Sequence, residues 1–131
     1  PQQSVDHFVR WAKKLNDTLM KQSYYPTIRK SDLFQLGFIA SKSGHTRGSS
    51  VDLSIVEIKT NKEIDMGSSY DFFGATSHSF HKKLSSRQEK NRMLLRNIMI
   101  KNGFKPYDKE WWHFTLVDEP FPNTYFNFDI E

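Results

Sequence analysis

The sequence predicts an α+β domain in which a central, largely antiparallel sheet packs with helices. Two helical patterns flank a stretch of strand-like alternation. Val5, Phe8, Val9, Ala12 and Leu15 recur at helical spacing near the start. Met93, Leu94, Leu95, Ile98 and Met99 mark a second helix over Arg87–Asn102. Between them, residues 51–58 alternate and are rich in β-branched side chains, as a half-buried strand is.

Taken in order, Ser4 is the expected N-cap of a first helix from Val5 to about Leu15, with extension toward Met20 open. Tyr24-Tyr-Pro breaks it, because a residue before proline is pushed toward extended geometry. Residues 31–36 suit a short helix closed by Gly37. The polar loop 41–50 leads into the strand 51–58, with Val51, Leu53 and Ile55 on one face and Asp52 and Ser54 on the other. Thr60-Asn-Lys turns the chain into a return strand over 63–66. Residues 67–85 show no period, and so long a loop in a small domain is commonly functional or disordered. Gly103 stops the second helix, a last strand covers 111–117, and the proline-rich tail 120–128 wraps the surface.

At 131 residues the chain is one domain with one modest core. No apolar run approaches the roughly 20 residues that span a bilayer. The net charge of +4 comes from scattered lysines and arginines, with no block of like charge and no nucleic-acid signature. There is no cysteine, so any metal must be held by nitrogen and oxygen.

Chemistry concentrates in two segments, Ser43-Gly-His-Thr-Arg-Gly-Ser-Ser-Val-Asp52 and Glu110-Trp-Trp-His113. His45, Asp52 and His113 supply two imidazoles and a carboxylate, the set a catalytic zinc uses when it keeps a fourth position for water. Glu110 is a further carboxylate able to take the proton from that water as general base. Gly48 lets the loop between His45 and Asp52 turn sharply. Residues three apart point to opposite faces of a regular strand, so Glu110 must sit in a loop or on a bulge at the strand's entry. Trp111 and Trp112 read as packing around the site. His7, His78 and His81 read as ordinary surface or loop histidines.

These two segments, with Ala40-Ser-Lys-Ser-Gly-His and Trp111-Trp-His-Phe-Thr-Leu, resemble the VanX-type D-alanyl-D-alanine dipeptidases. Tyr24-Tyr-Pro, Met66-Gly-Ser and Asp118-Glu-Pro-Phe-Pro-Asn-Thr-Tyr-Phe extend the resemblance over nearly the whole chain. Ser50 stands where the family more often has alanine. The resemblance implies a Hedgehog/DD-peptidase fold, one Zn2+ per chain and hydrolysis of the small zwitterion D-Ala-D-Ala. It further implies Asp71 as partner of the substrate ammonium and Ser43 as a polar contact near the metal. A family arginine that polarises the scissile carbonyl lies just before the segment that opens this chain, so the chain is expected to be the C-terminal part of the enzyme. Either an N-terminal segment or a second copy would then complete it. The alternatives are a D,D-carboxypeptidase acting on longer muropeptides and a catalytically silent zinc-binding module. A bacterial cytoplasm or periplasm would suit the chain, and the cytoplasm is favoured.

Overall fold

The computed structural model describes residues 1–129 and is an α+β arrangement with antiparallel sheets. Helix α1 covers Gln2–Lys13, α2 covers Lys21–Tyr24 and α3 covers Ser86–Lys101. The strands are β1 Ser50–Asp52, β2 Val56–Glu57, β3 Lys62–Glu63, β4 Phe104–Tyr107 and β5 Glu110–Leu116. The main sheet has the order β1-β5-β4, and β2 pairs with β3 in a separate hairpin. Among the described residues, no helix is long and apolar enough to cross a membrane.

The central strand β5 buries Trp111, Trp112 and Phe114 almost completely. Leu95 and Met99, four residues apart on α3, cover that face together with Met66. A second cluster joins Ala12 of α1 to Tyr25, Leu33, Ile39 and Phe73. Lys30 stitches this cluster to the end of α1. Its buried ammonium donates to the Lys14 and Asp17 carbonyls at 2.9 and 2.6 Å and lies 3.8 Å from the centre of the Trp11 ring.

Several boundaries differ from the sequence reading. Helix α1 begins at Gln2, so Ser4 lies inside it and does not cap it. The tail supplies the cap: Gln2 N–H donates to the Phe126 carbonyl at 2.9 Å and Gln3 N–H to Asn127 Oδ1 at 2.7 Å. The helix expected over 31–36 is a 3-10 turn at Lys30–Asp32 followed by turns. The strand expected over 51–58 is interrupted, because only Ser50–Asp52 finds a ladder partner in the main sheet. Val51 is therefore exposed, while Leu53 and Ile55 pack against the core. The return strand is shorter and earlier than 63–66, starting at Lys62 after the left-handed Asn61.

Helix α3 agrees closely with its expected span. Ser85 and Gln88 form a reciprocal capping box at its start, and Gly103, at φ +82°, ends it. Strand β4, which carries Pro106, lies on the sheet edge, where a missing N–H breaks no ladder.

Candidate metal centre

The loop that carries His45 is shaped by its own polar groups. Ser43 Oγ accepts the His45 N–H at 3.2 Å and caps a 3-10 turn over Gly44–Arg47. Gly48 leaves that turn in the left-handed region, φ +69°, where a Cβ would be strained although there is room for one. Gly44 answers a different need: a Cβ there would collide with Ser50 Oγ, so only glycine lets the turn lie against β1. His45 Nδ1 sits 3.0 Å from the Ser50 carbonyl. Donation to that oxygen puts a proton on Nδ1 and turns Nε2 toward Asp52 in the cleft, as the nitrogen available to a metal.

Asp52 and His113 meet across the β1–β5 ladder as direct register partners. His113 Nδ1 is 2.9 Å from Asp52 Oδ1, and His45 Nε2 is 3.3 Å from Asp52 Oδ2. The donor atoms of all three residues lie within 4.8 Å of one another. Donors bound to one zinc at about 2.0–2.1 Å stand about 3.3 Å apart in a tetrahedron, so the trio is spaced as a metal site requires. The far nitrogen of His113 is 3.4 Å from Thr115 Oγ1, which in turn lies 2.6 Å from Ser50 Oγ. That buried hydroxyl pair orients the ring from behind. Its only trace in the sequence is two hydroxyl residues in strand-like surroundings, and the β-propensity of Thr115 masks it.

Glu110 reaches the same cleft because β5 is irregular at its entry. Phe114 faces Pro106 and Glu110 faces Tyr107, so Trp111, Trp112 and His113 stand opposite no β4 residue. The bulge cancels the alternation that would separate positions three apart. Glu110 Oε2 ends 3.9 Å from His113 Nδ1, as the expected bulge at the strand's entry requires. Trp111 and Trp112 are core residues, as expected.

Asp71 also lines the cleft, in the left-handed region at φ +59°. Three carboxylates thus converge around two imidazoles. Burial, and then Asp52 and Asp71, push the Glu110 carboxyl up to about 8. Burial, and then Asp52, also raise Asp71. Asp52 behaves in the opposite way: burial works to raise it, but hydrogen bonds from His113 and His45 hold it at about 2. His45 is raised in return, chiefly by its bond to Asp52. A cation placed among these groups relieves the repulsion, and the nitrogen–oxygen donor set fits zinc.

The cleft measures about 940 Å³ and continues past the metal cluster along an aromatic wall of Phe8, Trp11, Tyr24, Phe38 and Phe73. Ser43 and Tyr107 also line it. His7 lies at the far, α1 side of this cleft, and His78 and His81 stand apart from the metal cluster.

Comparison with known proteins decides the family. The model of the peptidase M15 family, described as D-Ala-D-Ala dipeptidase, matches residues 1–131. The chain belongs to this family. Among similar proteins, the D-alanyl-D-alanine dipeptidase of Enterococcus faecalis is 44% identical over 130 residues, covering 99% of this chain and 64% of that protein. The D-alanyl-D-alanine dipeptidase of Enterococcus faecium is 41% identical over 131 residues, covering all of this chain and 65% of that protein. That of Streptomyces coelicolor is 40% identical over 130 residues, with 99% and 64% covered. The chain therefore spans just under two thirds of the length of the curated relatives it matches. Its mixed helices and antiparallel sheet are consistent with the Hedgehog-like fold expected for an M15 peptidase.

Proposed function

We propose that this chain carries the metal-binding part of a zinc dipeptidase that hydrolyses D-Ala-D-Ala. The supporting observation is the convergence of His45, Asp52 and His113 with the Glu110 carboxylate 3.9 Å from His113. The activity for which the relatives are named points to the same substrate. His45 Nε2, Asp52 and His113 Nδ1 would hold one Zn2+ per chain. Bound zinc supplies polarisation of the peptide carbonyl and brings the pKa of water down to about 7.

The chain's own groups do the rest. Glu110 takes a proton from the attacking water on a carboxylate oxygen and returns it to the leaving amine. Its position at the edge of the cluster, 3.9 Å from His113 Nδ1, suits both halves of that transfer. Ser50 and Thr115 keep the two imidazoles in register. Asp71, half-buried in the cleft wall, meets the substrate ammonium, and Ser43 offers a polar contact beside the metal. The cleft volume of about 940 Å³ is at the upper end for small-ligand sites. That size favours trimming of longer muropeptides as the second reading.

The test is D-alanine release by the zinc-loaded full-length protein from D-Ala-D-Ala and from a pentapeptide ending in D-Ala-D-Ala. Faster turnover of the dipeptide is expected. Faster turnover of the pentapeptide would establish the second reading, and no release from either would overturn both.

A further inference from the structure

Arg92 is fully buried on the inner face of α3, yet none of its hydrogen bonds goes to a carboxylate. Its guanidinium donates to three backbone carbonyls: Nε to Met66 at 2.6 Å, Nη1 to His78 at 2.8 Å and Nη2 to Thr76 at 2.8 Å. These carbonyls lie at the two ends of the segment that carries Asp71. A planar fork joins both ends at once with donors fixed in direction, whereas a lysine would reach them only from a single rotatable ammonium. Desolvating such a group is costly, and packing alone would be served better by an apolar side chain.

The same segment is fastened from β5. Trp111 Nε1 donates to Ser68 Oγ at 3.0 Å, and the Arg92 guanidinium lies 5.7 Å from the centre of the Trp111 ring. Trp111 directly follows Glu110 in the chain. Asp71 itself is a left-handed non-glycine residue, a conformation that persists only where the surroundings hold it. No hydrogen bond restrains its carboxylate among the described residues. Its direction into the cleft is therefore set by the backbone on either side.

We infer that Arg92, assisted by the Trp111–Ser68 bond, is a positioning residue that holds the Asp71 carboxylate at the place where a cationic end of the substrate docks. The inference rests on the dipeptidase reading above and deepens it: selection of a free amino terminus depends on a side chain in the core that touches no substrate.

The experiment uses the full-length, zinc-loaded protein with Arg92→Lys and Ser68→Ala. Two ligands are compared, D-Ala-D-Ala as substrate and D-lactoyl-D-alanine, with a hydroxyl in place of the ammonium, as competitive inhibitor. Arg92→Lys is expected to raise KM for the dipeptide about tenfold, the effect of one misplaced charge-assisted contact, with kcat nearly unchanged. The inhibition constant of the hydroxyl analogue should stay where it was. Equal weakening of both ligands, or a loss confined to kcat, overturns the inference. Should Arg92→Lys fail to fold, Ser68→Ala decides, with the same split at smaller size expected and no split overturning it. Hydrogen exchange provides an arm independent of activity. Amides of residues 69–74 should exchange faster in the folded variant while those of β5 do not, and unchanged exchange in 69–74 overturns the clamp. Absence of hydrolysis by the unsubstituted protein removes the dipeptidase reading, and the exchange arm still decides the clamp.

Discussion

Asp52 and His113 are register partners on adjacent antiparallel strands, with carboxylate and imidazole 2.9 Å apart. The ladder's backbone hydrogen bonds therefore set the separation of two donor groups 61 positions apart in the chain. His45 joins them from a turn rather than from the sheet.

Removing the sheet-borne imidazole is expected to remove the metal. His113→Ala should bring zinc content from near one per chain to near zero in the purified protein, as read by elemental analysis. Unchanged zinc would take His113 out of the ligand set.

In the proposed mechanism Glu110 acts on a proton rather than on the ion. Glu110→Ala should therefore keep its zinc while losing about 100- to 10,000-fold in turnover. Retained activity would assign proton transfer to another group, and loss of zinc would make Glu110 a ligand.

Thr115 supports His113 from behind through an oxygen that also bonds Ser50 Oγ at 2.6 Å. Thr115→Val keeps the shape and removes that oxygen. Zinc affinity should fall about 10- to 100-fold, measured by competition with a chelator, and the metal-free protein should lose about 1–3 kcal/mol because Ser50 Oγ is left buried without its partner. An unaltered affinity would show that the ring is oriented by packing alone.

Arg47 clamps Glu119 with two hydrogen bonds, at 2.6 and 3.0 Å, and so ties the His45 turn to the tail. Both side chains are largely covered, 18% and 12% exposed. Arg47→Met should cost about 1–2 kcal/mol at pH 7 by urea unfolding. The hydrogen bond from Arg47 lowers the Glu119 carboxyl in the folded state. Its stabilisation is therefore complete above the unfolded carboxyl value and fades as pH falls through the lowered folded value. The gap between wild type and variant should close in acid, and a gap independent of pH would count against the pair.

Local pattern made much of this protein legible. The α3 span follows from spacing and a terminal glycine, because helix period and caps are properties of neighbouring residues. The candidate donor residues were legible for a chemical reason: two imidazoles and a carboxylate near a second carboxylate have few other uses. The requirement that two side chains three apart serve one cleft left a loop or a bulge at Glu110, and the structure has the bulge.

Tertiary structure decided what no local window contains. The start of α1 depends on Phe126 and Asn127, which donate nothing to its propensity but accept its first N–H groups. Residues 53–55 left the strand because β5 pairs with only Val51 and Asp52 of the run 51–58, so alternation alone overstated it. Arg92 reads as one more surface cation on a helix, and only the carbonyls of Met66, Thr76 and His78 turn it inward. Each of these outcomes rests on a hydrogen bond between groups more than a dozen residues apart. Such contacts form only after the chain has closed, so the residue types of the site can be read from the sequence while their mutual placement cannot.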